Sequence, residues 1–231
     1  MLTIQGLQAW YDKNIPILSD ISFTLSDNSV VGLLGLNGAG KTTLLNTISG
    51  VHSGYKYSKL NYNGEDFNFE DIKWKKKRYT VFTEEQAFSY WSFNEYLHFI
   101  EKVYDKKINN NHLEELIKGF TFEKYINYPM KDLSTGNKKK VFLITGFSLE
   151  LPFLILDEPL DGLDFLSSNF LYEEILQYKK FGTILMSSHI AESIEKTCHK
   201  VIILKEGHCK LHNLSKTENL TDSLEVWLHD K

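Results

Sequence analysis

The sequence predicts an α/β fold with a mostly parallel core sheet, an N-terminal antiparallel β region and an inserted set of helices. Alternating apolar and polar residues near the N-terminus indicate antiparallel strands, whereas short, wholly apolar runs further along indicate buried parallel strands. From Ser92 onward the apolar residues recur at helical spacing. We therefore expect a single domain over residues 1–231 with a helical insertion at about 87–150.

The first half of the chain is predicted to be mainly strands. Alternation over 2–25 predicts the antiparallel strands, and the apolar run 30–34 predicts a buried parallel strand. A glycine-rich turn follows it, and then a helix is expected over 41–49. Residues 53–78 show alternation with few long apolar runs, so strands and turns of the same sheet are expected there. Within that stretch, 72–78 are interpreted as a solvated strand edge protected by lysines.

The second half combines helices with buried strands. Ser92 and Glu95 have the spacing of a capping box, which predicts a helix start. Asn111 with Glu114 predicts the start of another helix. Buried parallel strands are then expected at three apolar runs, 153–156, 183–187 and 201–204.

Composition and charge exclude several classes of protein. Hydrophobic residues make up 42% of the 231 residues and charged residues 24%, which is ordinary for a globular domain and argues against disorder. The net charge of −4 lacks the basic character of a dedicated nucleic-acid binder, so no nucleic-acid partner is expected. Two cysteines give no disulfide framework, and neither a signal peptide nor a membrane-spanning run is recognisable. We expect a cytoplasmic protein that reaches a membrane only through a partner.

A phosphate-binding loop is the strongest motif in the chain. Residues 35–42 fit G-x-x-x-x-G-K-[ST] between a predicted strand and a predicted helix, a context that a plain glycine-rich turn would rarely reproduce. Backbone N–H groups of such a loop converge on phosphate oxygens. Lys41 is expected to reach the terminal phosphates, and the Thr42 hydroxyl to ligate Mg²⁺. The residues expected to bind the nucleotide here are Gly35, Asn37, Gly38, Ala39, Gly40, Lys41, Thr42 and Thr43.

Two adjacent carboxylates, Asp157 and Glu158, follow the apolar run 153–156. Ligands bind where parallel strands end, so Asp157 is expected to hold Mg²⁺ and Glu158 to polarise the water that attacks the γ-phosphate. A salt-bridged strand end is the alternative interpretation. The phosphate loop earlier in the chain favours a nucleotide triphosphatase instead.

These motifs and their order resemble the ATP-binding subunit of ABC transporters over nearly the whole chain. Residues 133–137 (LSTGN) are similar to the family's LSGGQ signature, and 161–164 (DGLD) are similar to its D-loop. His189 matches the switch histidine. Tyr11 matches the aromatic residue on which the family stacks the adenine ring, with Trp10 as the alternative.

The resemblance implies a P-loop nucleotide triphosphatase of the ABC ATPase type, with ATP and Mg²⁺ as cofactors and His189 as the γ-phosphate sensor. It implies that two subunits, as a homodimer or a heterodimer, close around two ATP so that Ser134 and Gly136 of each complete the other's site. It also implies docking to an integral membrane permease subunit at the inner face of the cell membrane, with export of a peptide, drug or lipid-like compound. A nucleotide-switched regulatory module and a weakly active half of a heteromeric pair are the alternatives. Substrate and direction stay open.

The chain departs from the family pattern in two places. Thr135 and Asn137 replace a glycine and a glutamine of the signature, and a β-branched residue at 135 would be costly if that position needs a positive φ. Glu84 aligns with the Q-loop glutamine and is expected to ligate Mg²⁺ or orient water, with Gln86 as the alternative equivalent.

Other stretches suggest surfaces. The aromatic residues between 82 and 93 suit either a groove for a membrane subunit's helix or core packing of the insertion, with equal weight. Three consecutive lysines, 138–140, are interpreted as a solvated basic face. Metal binding by the histidines and cysteine of 208–212 is disfavoured by their spacing. Residues 223–228 resemble the short terminal helix of members that pair with separate export-type membrane subunits.

Overall fold

A computed structural model describes residues 1–13, 15–83 and 87–214 of the chain. Three of the sequence-based expectations, on Glu84, Gln86 and the helix at 223–228, lie outside the described residues.

The N-terminal sheet is antiparallel, as the alternation predicts. Its two long strands pair in a register that sets Leu2 opposite Leu25, and their buried positions alternate with exposed ones because one face covers the core. The strands are β1 (Leu2–Asp12), β2 (Ile15–Leu25), β4 (Tyr55–Lys56), β5 (Lys59–Tyr62) and β6 (Glu65–Asp66). Their order is β2-β1-β5-β6, with β4 also pairing with β1.

The second sheet is mostly parallel and carries the predicted buried strands. The strands are β3 (Val30–Gly35), β7 (Arg78–Val81), β8 (Phe153–Leu156), β9 (Thr183–Ser187), β10 (Lys200–Lys205) and β11 (His208–Asn213). Their order is β11-β10-β3-β9-β8-β7, and β11 joins antiparallel to β10 through the turn at Glu206 and Gly207, both with positive φ. Since β9 lies between β3 and β8, the carboxyl ends of these three parallel strands meet at one edge.

The helices flank this sheet, and three of them lie between β7 and β8. The Ser92 and Glu95 capping box is confirmed, with the Ser92 N–H donating to Glu95 Oε2 at 2.7 Å. The cap expected at Asn111 is wrong by two residues, because Asn109 accepts the Asn111 N–H at 3.0 Å. None of the described helices is long and apolar enough to cross a bilayer. The helices are α1 (Lys41–Ile48), α2 (Ile72–Lys75), α3 (Phe93–Tyr104), α4 (Asn110–Gly119), α5 (Thr135–Ser148), α6 (Phe165–Gln177) and α7 (Ala191–Thr197).

The predicted strand edge at 72–78 is wrong for its first residues, which form the single turn of α2. Trp74 of this turn is 2% exposed, and its indole N–H donates to the Ile48 carbonyl at 2.8 Å. Burial of the large ring together with a partner for its polar edge favours the turn over an exposed strand.

The predicted solvated face at 138–140 is wrong for Lys139 and Lys140, which are both buried. From Lys139 to its end α5 is buried on all sides, so Lys139 and Lys140 have no exposed face to occupy. Buried ammonium groups require polar partners, and both lysines have them in the turn after β8.

Candidate nucleotide site

An open cavity of about 630 Å³ lies at the edge where β3, β8 and β9 end. The phosphate loop, the carboxylates of Asp157 and Glu158, and His189 all line this cavity, although they are far apart in the sequence. Ile17, Thr83 and Asp161 also line it, although sequence analysis assigned them no contact. The sequence-predicted residues that line the cavity are Asn37, Gly38, Gly40, Lys41, Thr42, Thr43, Asp157, Glu158 and His189.

The phosphate loop needs two of its glycines for different reasons. Gly38 and Gly40 have φ of 81° and 102°, in the left-handed region that side chains disfavour. At Gly40 a Cβ atom would also lie 2.7 Å from Leu18 Cδ2, whereas at Gly38 it would meet open space. The loop backbone is thus close to the core at one glycine and accessible to a phosphate at the other.

Lys41 begins α1 directly behind this loop. Its ammonium donates to the Gly35 carbonyl at 2.8 Å and approaches that of Leu36 at 3.4 Å. The cation therefore lies across the loop at the wall of the cavity, where phosphate oxygens would be attracted to it.

Asp157 is held rigidly at the cavity floor. It is 3% exposed, and Ser187 at the end of β9 donates to its Oδ1 at 2.6 Å. The same hydroxyl accepts the Glu158 N–H at 2.9 Å, so one serine orients both acidic residues. Sequence analysis missed Ser187, because its role depends on β9 lying beside β8.

The oxygens at the floor suit a magnesium ion. Thr42 and Asp157 line the same cavity and offer a hydroxyl and a carboxylate, the hard oxygen ligands that Mg²⁺ prefers. Glu84, the third residue expected at the metal, lies outside the described residues.

Glu158 and His189 form a pair at the cavity wall. One carboxylate oxygen of Glu158 lies 2.9 Å from His189 Nδ1 and accepts the His189 backbone N–H at 3.1 Å. The glutamate side chain is 16% exposed and the histidine 55%, so the pair faces the cavity from a partly shielded position. Such a carboxylate can accept a proton from a water molecule.

The signature residues lie away from this cavity. Ser134 is exposed and caps α5, its hydroxyl accepting the Asn137 N–H at 3.3 Å. At Gly136 a Cβ atom would lie 2.1 Å from the Gly162 carbonyl, so at this residue the helix backbone lies directly against the turn after β8. Thr135 is the first residue of α5 and has no positive φ, so the strain considered for it does not arise.

Three other predicted residues do not line the cavity either. Tyr11 is 66% exposed, and its ring is tilted against that of His52 with 4.7 Å between the centroids. Gly35 ends β3 and Ala39 lies in the loop, and neither is among the lining residues. Ile17 of β2 provides the apolar lining instead. No motif marks Ile17, because the packing of one sheet against the other brings it there.

Comparison with known proteins agrees with the geometry. The model of a family described as ABC transporter matches residues 18–161. The putative ABC transporter ATP-binding protein AlbC of Bacillus subtilis (strain 168) is 34% identical over 209 residues, covering 88% of this chain and 87% of that protein. The ABC-type transporter ATP-binding protein EcsA of the same strain is 35% identical over 214 residues, covering 91% and 85%. A solved structure of the ATP-binding subunit of an ABC transporter superposes with a TM-score of 0.87 and 26% identity, covering all of both chains.

Proposed function

This chain belongs to the ABC transporter family as an ATP-binding and ATP-hydrolysing subunit, and we propose that hydrolysis takes place in the cavity between the phosphate loop and Glu158. The convergence of the loop, Asp157 and the paired Glu158 and His189 at one sheet edge carries this proposal. Each group supplies one requirement of phosphoryl transfer, which depends on positioning and on charge stabilisation.

Each of these residues has a separate role in the proposed hydrolysis. Loop N–H groups and the Lys41 ammonium bind the phosphates. Mg²⁺, held by Thr42 and Asp157, would neutralise charge on the terminal phosphates. Glu158 accepts the proton of the attacking water, and His189, which already contacts that carboxylate, donates toward the γ-phosphate oxygens.

A second ATPase subunit, identical or different, is proposed to complete the site with Ser134 and Gly136. Ser134 is exposed at the N-terminus of α5, where a helix end attracts anions. Phe165 and Leu166, at the start of α6, are 78% and 66% exposed and offer apolar area for such a contact.

An aromatic surface, defined here by Phe88, Tyr90, Trp91 and Phe99, is proposed to receive the integral membrane permease. Tyr90 is 78% exposed, and Phe88 lies 4.9 Å from Trp91 and 5.5 Å from Phe99 between ring centroids. Exposed aromatic rings over a packed aromatic base are typical of protein contact sites. The subunit would then act at the inner face of the cell membrane.

Export of a peptide, drug or lipid-like compound completes the proposal. Its support is the resemblance of residues 223–228 to the terminal helix of members that pair with separate export-type membrane subunits.

Purification of a tagged Glu158→Gln protein from detergent-solubilised host membranes with ATP tests this function. We expect a polytopic membrane protein in stoichiometric amount. In the same background, Tyr90→Glu should abolish the recovery of this membrane protein while ATP binding persists. Tyr57→Glu is the control, at a tyrosine in the region of the N-terminal sheet, and it should leave the recovery of the membrane protein unchanged. Recovery of soluble partners or nucleic acid alone would favour the regulatory module instead.

A further inference from the structure

Lys139 is a buried cation that none of the recognised motifs uses. It lies in the second turn of α5, 5% exposed, and its ammonium donates to the backbone carbonyl of Glu158 at 2.6 Å. The pKa of Lys139 is lowered by burial, and the nearby carboxylates of Asp161, Asp157 and Glu158 offset part of that lowering. A lysine is seldom buried this deeply without a specific partner, and here the partner is the backbone of the residue that accepts the water proton.

The backbone at Glu158 is unusual. Its φ of 44° lies in the left-handed region, which costs free energy for a residue with a side chain. Such a conformation persists only where the surroundings hold it. The Ser187 hydroxyl accepts its N–H at 2.9 Å, and its carbonyl accepts from the Asp161 N–H at 3.2 Å as well as from Lys139.

The Lys139 hydrogen bond and two further contacts tie α5 to the turn after β8. Gly136 touches the backbone of Gly162, and the Lys140 ammonium lies 2.7 Å from Asp164 Oδ2. These two contacts fix the later part of the turn, and Lys139 fixes the position of Glu158 at its beginning.

We propose that Lys139 is a positioning residue for ATP hydrolysis, which holds the Glu158 carbonyl and thereby aims the Glu158 carboxylate into the cavity. The inference rests on the proposed function, in which Glu158 accepts the proton of the attacking water. Lys139 does not line the cavity, so its removal should change the hydrolysis step and not the binding of ATP.

Three variants test this role. Lys139→Met removes the donor and should lower kcat about tenfold to a hundredfold, with KM and the Kd for ATP changed by less than about twofold. Lys139→Gln keeps an N–H donor and should restore part of the lost kcat. Lys106→Met is the matched control, because Lys106 also donates to backbone carbonyls, those of Leu149 and Glu150, away from the cavity. Its kcat should stay within about twofold of the wild type.

A double-mutant cycle separates positioning from general damage. If Lys139 acts only through the carboxylate, Lys139→Met should cost less than about twofold in a Glu158→Gln background, measured by single-turnover hydrolysis. A loss that adds fully to that of Glu158→Gln, or an unchanged kcat in Lys139→Met, would overturn the inference. If Lys139→Met does not fold, Lys139→Gln serves in the same cycle. Wild-type hydrolysis by Glu158→Gln alone would instead refute the proposed function.

Discussion

Asp164 shows how one side chain stabilises two helices. Its carboxylate accepts the Ser167 N–H at 2.9 Å, which caps α6, and pairs with the buried Lys140 ammonium of α5 at 2.7 Å. The hydrogen bond from Lys140, followed by that from the Ser167 backbone, holds the pKa of the Asp164 carboxyl well below its usual range. Loss of the carboxylate would leave a buried cation without its charge partner.

Asp164→Asn should therefore lower the free energy of unfolding at pH 7 by about 1–2 kcal/mol. The expected loss is no larger because the carboxylate is half-exposed and solvent screens its charge. Because the folded-state pKa is lowered, the wild-type advantage is complete above the unfolded pKa of about 4 and diminishes as the pH falls below it. Urea unfolding at pH 7, 5 and 3 measures this. If the free energies of unfolding of the wild type and Asp164→Asn differ by the same amount at every pH, the charge pair is excluded as the source of the difference.

His112 links the inserted helices to the rest of the chain. It lies on α4, 3.2 Å from Glu150 and 3.7 Å from Glu174 of α6, with its ring stacked on Phe181. The interaction with the Glu174 carboxylate is the largest of those that raise the pKa of His112. Protonation of this histidine thus strengthens the attachment of α4 to α6.

The stability of the wild type should accordingly depend on pH through His112. A raised folded-state pKa means that the stabilisation is complete below the unfolded pKa of about 6.5 and is lost as the pH rises through the folded-state value. His112→Gln should flatten this dependence of the free energy of unfolding on pH between pH 6 and 8.5, as measured by urea unfolding. His98→Gln, at a 67% exposed histidine of α3, is the matched control and should behave as the wild type. If the free energy of unfolding of His112→Gln still depends on pH as in the wild type, another group causes the dependence.

The sequence predicts those strands and helices that a pattern of a few neighbouring residues identifies. The loop at 35–42, the capping box at Ser92 and the apolar runs all depend on such short-range signals. The buried Lys139 and the role of Ser187 depend on which helix is central and which strands are neighbours. Those are long-range consequences of packing, which one sequence does not display. The same holds for Trp74, whose burial against α1 converts an expected strand into a helical turn.

The order of strands in the second sheet explains why distant motifs form one site. β9 separates β3 from β8, so the loop after β3, the carboxylates after β8 and His189 after β9 surround one cavity. The N-terminus of α5 and the apolar start of α6 are exposed away from this cavity, where the proposed second ATPase subunit would contact the chain. In this proposal a complete catalytic site needs two ATPase subunits, identical or different.

ATP hydrolysis by purified Glu158→Gln, compared with the wild type at equal ATP occupancy, tests the central claim most directly. If Glu158 accepts the proton of the attacking water, kcat should fall at least about a hundredfold. ATP binding should be retained, because the phosphate loop is unchanged, and sedimentation should show ATP-dependent association of subunits. Hydrolysis by the variant at the wild-type rate would contradict the assignment of Glu158 and with it the proposed site.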